Sequence, residues 1–167
     1  MDPRLNRLQV EIATVLTGLS PKQLCAHPPG KWCVTEILEH LYLTYTGTTK
    51  GFERVLKAGT PKVTPPTLKQ RSAVLLVLGF SFLPSGREAP AMARPRGLAP
   101  GTVQKEIGSK IAEMDAILAA CEGKFGANTK VLDHPILGPL TIGQWRKFHL
   151  VHGRHHLKQI QRLSTHC

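Results

Sequence analysis

Cysteine is sparse and irregularly placed in this chain. Cys25, Cys33, Cys121 and Cys167 form no C-x-x-C pair and no regular spacing. That excludes a disulfide scaffold or zinc ribbon and predicts reduced thiols. Aromatics are few as well: five Phe, two Trp and two Tyr cannot furnish a base-stacking platform. The longest apolar run, Ala73 to Leu83, falls well short of the ~20 residues that span a bilayer. It reads as a buried core segment and leaves no membrane role. The start, Met1-Asp2-Pro3-Arg4, is polar and lacks the apolar stretch of a secretory signal, so a soluble, cytoplasmic protein is expected. G-x-x-x-x-G-K-[ST], G-x-G-x-x-G and G-x-S-x-G are all missing, which removes phosphate-loop, Rossmann and hydrolase-elbow readings.

Acidic residues are scarce too, with 11 Asp+Glu against 22 Lys+Arg and a net charge of +11. No acid occurs between Glu53 and Glu88, a span holding Arg54, Lys57, Lys62, Lys69, Arg71 and Arg87. None follows Asp133, where Arg146, Lys147, Arg154, Lys158 and Arg162 lie. A basic surface of this kind could contact nucleic-acid phosphates or steer a small anion. Solvated surface is its plainer reading. No helix-turn-helix, RNA-binding or zinc-finger signature accompanies the charge, so nucleic acid is the second class of partner and a small-molecule substrate the first.

The chain's 167 residues suit one domain, and residues 1–167 show no internal boundary. Helical periodicity dominates. Leu5, Leu8, Ile12, Leu16 and Leu19 mark a first amphipathic helix, and Ser20-Pro21 starts a short second piece. A long helix carries Ile37, Leu38, Leu41, Tyr45, Phe52, Val55 and Leu56 and stops at Gly59-Thr60-Pro61. Leu68 to Leu83 reads as a further, mostly buried helix. Pro84 to Gly101, with four prolines, reads as a long crossover loop and a candidate lid. Val103 to Cys121 is helical, with Thr102 as its cap and Gly123 as its stop. Residues 124–140 look irregular apart from an extended piece near Thr129–Leu132. Thr141-x-x-Gln144 fits a capping box opening the last helix. The fold class is therefore all-α, a four-helix bundle with a long crossover.

Histidine is the abundant residue, and four of the eight fall within 149–156, a stretch without an acid. His152 and His156 lie about 40° apart on a helix, one turn from each other, so both rings can reach one ion. The apolar stripe of Ile142, Trp145, Ile160 and Leu163 overlaps that face and turns the pair inward. His149 shares roughly the same face, while His155 sits about 60° to the other side of His152. A third ligand should come from another helix. His40 is the one interior-tending candidate, since His27 and His134 precede prolines in turns and His166 is terminal. Three histidines with an open fourth position form the usual catalytic zinc arrangement, although imidazole also suits Ni²⁺, Cu²⁺ or Fe²⁺. An isolated H-x-x-x-H is more often plain surface or core histidine; inward orientation and the absence of acids favour the metal.

Trp32-x-x-Thr35-Glu36-Ile37-Leu38-Glu39-His40-Leu41, followed much later by His152-x-x-His155-His156-x-x-Gln159, resembles the DinB/YfiT-like superfamily. The stretch His134-Pro135-x-Leu137-Gly138-x-Leu140-Thr141-x-x-Gln144-Trp145 is similar to an uncharacterised bacterial DinB-like subgroup. The resemblance covers most of the chain. It implies a four-helix bundle, often a homodimer, with one divalent metal, zinc or nickel, held by His40, His152 and His156. Cys33 departs from the family's usual Ser or Thr at the start of that helix; it sits seven residues before His40 on nearly the same face. Some relatives are thiol S-transferases and others are presumed hydrolases. The resemblance therefore implies metal-dependent transfer or hydrolysis on a small molecule, thiol transfer foremost. If the positive charge steers an anionic thiol to the metal, Arg87, Arg94 and Arg96 on the crossover loop are the nearest candidates. It assigns no protein catalytic residue; Glu36 lies one turn before His40 on a different face. Cys25, Cys33 and Cys121 read as packing groups, because no base is placed beside them. The alternative is a non-enzymatic, stress-related metal- or nucleic-acid-binding protein.

Overall fold

The structure is a computed structural model, and it describes residues 1–27, 29–84, 86 and 88–164. Arg87, His166 and Cys167 lie outside the described residues. Asp2 caps the first helix, α1 (Pro3–Leu16), by accepting the Arg4 amide N–H, and Pro3 supplies the preset first turn. Ser20 and Gln23 form a capping box for the short α2 (Pro21–Cys25). Then comes α3 (Val34–Ala58), ended by Gly59 in the left-handed region at φ 75°, where a glycine carries no steric cost. α4 (Leu68–Val74) runs on into a π-helical turn, Leu75–Gly79. After the crossover come α5 (Pro100–Phe125), a hairpin of β1 (Lys130–His134) and β2 (Gly138–Thr141), and α6 (Ile142–Ser164).

α1, α3, α5 and α6 are the four bundle helices, with α3 lying along α5 and α1 along α6. Their apolar stripes meet in one core. Leu5, Leu8 and Ile12 of α1 share it with Leu38, Leu41, Tyr45 and Phe52 of α3, Ile111, Met114 and Leu118 of α5, and Trp145 and Ile160 of α6. The all-α class and the four-helix bundle stand. No helix among the described residues is long and apolar enough to cross a membrane.

Four local expectations are corrected. The Leu68–Leu83 segment is not one mostly buried helix: Val77 and Leu78 are buried, while Leu75, Leu76, Phe80 and Phe82 are exposed. A continuous apolar run carries no polar face to show which side turns inward, and Gly79 followed by Ser81 at φ 53° ends the helical path. α5 starts at Pro100 after Ala99 rather than at a Thr102 cap, and it passes Gly123 to stop at Gly126. Residues 130–141 form a true antiparallel hairpin. Its turn is closed by His134, whose Nδ1 accepts the amide N–H groups of Ile136 and Leu137 at 3.1 Å each. Finally, the basic stretch after Asp133 is not an unpaired basic face. Arg146 is buried and donates to Asp115 at 2.9 Å and Glu122 at 2.6 Å, both on α5. Arg154 meets Glu11 of α1 at 2.6 Å.

α6 comes unusually close to α1 at Gly153, next to His152. A Cβ built there would fall 2.5 Å from one Leu8 methyl and 2.8 Å from the other, and Leu8 is fully buried with no room to swing away. Gly153→Ala gains up to ~1 kcal/mol of helix propensity but overpacks the core at a cost of ~1–3 kcal/mol. Net destabilisation of up to about 2 kcal/mol is expected, read as a lower midpoint in urea unfolding.

Candidate metal centre

Helical spacing brings His152 and His156 together on the inner face of α6, and α3 presents His40 opposite them. All three are buried, His40 at 4% exposure and His152 and His156 at 8% each. His40 Nε2 lies 3.1 Å from His152 Nε2, and His156 Nε2 lies 3.1 Å from the same atom. The three ligating nitrogens fall within 4.8 Å of one another. Those expected residues are thus brought together by the fold.

The outer nitrogens decide where the protons are. His40 Nδ1 is 2.7 Å from the backbone carbonyl of Ala93, an acceptor only, so that nitrogen carries the proton and donates. His156 Nδ1 faces Gln159 Oε1 at 2.8 Å, while the Gln159 amide nitrogen faces His155 Nε2 at 3.2 Å. His156 therefore also carries its proton on Nδ1. Both rings then turn an Nε2 lone pair toward His152. His152 has at most one Nε2 proton, which satisfies one of those two lone pairs and not both. Its own Nδ1 has no partner among the described residues. Converging lone pairs with outward N–H groups held by a carbonyl and an amide are the usual environment of metal-ligating histidine. The residues present fit a divalent metal.

The walls are aromatic. Phe148 stacks on His152 at 5.3 Å between ring centroids and 13° between planes, and Trp32 lies 5.2 Å from His40. Burial pushes every imidazole here toward its neutral form: His40 and His152 fall below the usual histidine range, and His156 falls to about 3. Neutral imidazole is the ligating form.

The crossover takes part through its backbone. Glu39, buried beside His40, accepts the amide N–H groups of Arg96 at 2.6 Å and Gly97 at 3.1 Å. That clamp holds the short turn Ala91–Ala93, whose carbonyl meets His40. Arg94 pairs with Glu88 at 2.6 Å. Glu39 and Ala93 are the participants that residue-type reasoning missed. One signal was available: Glu39 is a carboxylate flanked by the inward positions Leu38, His40 and Leu41. The Ala93 carbonyl, being backbone, left none.

The other candidates are distributed elsewhere. His149 is fully buried between Tyr45, Trp145 and Phe148, is held at about 3 by burial, and lies outside the converging set. His155 is the outer neighbour of His156 through Gln159. Arg154 points away from the centre, occupied by Glu11, and Leu157 is buried in the apolar core. Cys121 packs in the core with burial raising its thiol, and Cys25 is exposed. A surface groove lined by Arg71, Lys130, Leu137 and Gln144 shares no residue with the histidines.

These features place the chain among known folds. The solved structure of YfiT from Bacillus subtilis, described as "a probable metal-dependent hydrolase with an unusual four-helix bundle topology", superposes with a TM-score of 0.63 at 16% identity. The match covers 98% of this chain and 83% of that one; at that identity it establishes the fold. None of the curated proteins matches the chain in sequence. Residues 5–163 match the family described as "Protein of unknown function (DUF1569)", and the chain belongs to that family.

Proposed function

We propose that the protein holds one divalent transition metal, zinc or nickel, on His40, His152 and His156, and uses it to transfer a small thiol to an electrophile or to hydrolyse a small molecule. One observation carries the reading: three buried Nε2 atoms converge while two of the rings are committed to Nδ1 protons by Ala93 and Gln159. A cation satisfies that arrangement and hydrogen bonds alone do not. YfiT's description as "a probable metal-dependent hydrolase" supports the same class.

When bound, such an ion supplies Lewis acidity, favouring the thiolate of a coordinating thiol or the deprotonation of water. The chain's residues do the rest. Ala93 and Gln159 hold the protons of His40 and His156 on the outer nitrogens. Phe148 and Trp32 limit water at the ligands, which strengthens electrostatic interactions there. Transfer needs no protein nucleophile, because the thiol substrate is itself the nucleophile. An anionic thiol suits the net positive charge, and a homodimer suits the bundle's family resemblance.

Elemental analysis of tag-free protein should find His152→Ala and His156→Ala each holding one metal per chain fewer than wild type. Gln159→Leu should retain the fold and weaken metal binding by ~10–100-fold, the cost of losing an outer hydrogen bond. Thiols screened against an electrophile panel should show turnover that a chelator abolishes. Chelator-insensitive turnover, or equal metal content in wild type and His156→Ala, overturns the reading.

Acid should destabilise the metal-free protein. His149 and His156 are held at about 3 and His134 at about 4 by burial, against 6.5 for a free histidine. Below pH ~6.5 the unfolded chain binds more protons than the folded one, so stability falls as pH drops toward the folded-state values. At pH ~5 each such histidine costs about 2 kcal/mol. Urea unfolding of chelator-treated protein between pH ~7 and ~5 should show the loss, and saturating metal at the upper end should oppose it.

A further inference from the structure

At the start of α3 a second set of ligating side chains comes together, sharing no residue with the histidine triad. A ring nitrogen of His27, Cys33 Sγ and a Glu36 carboxylate oxygen lie within 4.8 Å of one another, with His27 Nδ1 3.5 Å from Glu36 Oε2. Cys33 is buried, whereas the side chains of His27 and Glu36 are 58% and 32% exposed. We propose that His27, Cys33 and Glu36 form a second, thiophilic site for a Zn²⁺-class divalent ion, open to solvent at its fourth position.

Helix capping explains part of the arrangement. Glu36 accepts the Cys33 amide N–H at 2.9 Å, the returning half of a capping box. It does not explain the residue types. A cap at this position calls for Ser, Thr, Asp or Asn, and a thiol is a poor substitute. Capping also makes no use of His27, which comes from the loop after α2 and turns its Nδ1 to the same carboxylate. One sulfur, one imidazole nitrogen and one carboxylate oxygen are all ordinary zinc donors. Around a tetrahedral ion, donors at about 2.0–2.3 Å sit about 3.3–3.8 Å apart. The imidazole and carboxylate already stand near that spacing; His27 is on an exposed side chain, and the Cys33 amide holds the Glu36 carboxylate beside the buried sulfur. Thr35 Oγ1, 3.0 Å from Cys33 Sγ, supplies a hydroxyl hydrogen bond to a thiolate. On binding, the Cys33 thiol forms a metal–sulfur bond and its proton leaves to solvent.

The donor chemistry separates this site from the triad, which contains no sulfur. Titrating metal-free full-length protein with Co²⁺ reads the two apart, because only thiolate ligation gives a sulfur-to-cobalt charge-transfer band in the near ultraviolet. Wild type should bind two Co²⁺ per chain and show that band. Cys33→Ser, which installs a better helix cap and so preserves α3, should bind one Co²⁺ and lack the band. His27→Ala and Glu36→Gln, the latter still able to cap, should each shift the band's midpoint to at least ~10-fold higher Co²⁺. His156→Ala should leave the band intact while removing the sulfur-free ion, so failure of the triad and failure of this site are distinguishable. Absence of the band in wild type, its survival in Cys33→Ser, or indifference to both His27→Ala and Glu36→Gln (a lone thiol) overturns the proposal.

Discussion

Nitrogen lone pairs directed at one point repel unless a cation or a proton lies between them, and much of this structure is arranged around that constraint. α3 and α6 are each more than twenty residues long, which makes them rigid enough to hold imidazoles from opposite sides at 3.1 Å. The crossover then docks its Ala93 carbonyl on His40, and Glu39, one residue earlier, secures the same segment by two amide N–H groups. Adjacent residues of one helix thus provide a ligand and the anchor for what orients that ligand. The crossover is a fixed part of the centre rather than a spare connection.

The bundle was legible because each of its four helices carries a repeating apolar stripe, and because Ser20–Gln23 and Thr141–Gln144 announce helix starts. His40, His152 and His156 were legible for a related reason: spacing on a helix fixes which side chains share a face. The Leu68–Leu83 segment was not legible, because apolar residues on every side give no phase, and its burial depends on how much of the bundle is left to cover it. The hairpin was half legible. Its turn is held by a histidine ring accepting two backbone N–H groups, a bond that no residue pattern announces. Ala93 was invisible in principle, since its contribution is a carbonyl that every residue possesses.

Charge shows the same gap between order along the chain and arrangement in space. The segment after Asp133 contains basic residues and no acid, yet Arg146 and Arg154 both end in ion pairs with acids from α5 and α1. Arg146 is buried, and its carboxylate partners are what make that burial affordable. These pairs also fix the rotation of α6 about its axis, because both arginines project from faces other than the one bearing His152 and His156. Acids far away in sequence therefore help to aim the histidines.

Fold and chemistry are separable here. A bundle needs only stripes of suitable apolar residues, and many sequences supply them, which is how a chain 16% identical to YfiT retains its fold. The centre tolerates far less variation. Shifting His156 by one residue rotates it about 100° around α6 and takes its Nε2 out of reach of His152. Replacing Gln159 by an apolar residue frees the ring of His156 to choose its other tautomer and to turn Nδ1 inward. The chemistry of the centre therefore depends on these particular atoms, and on the carbonyl that faces His40, rather than on the bundle that carries them.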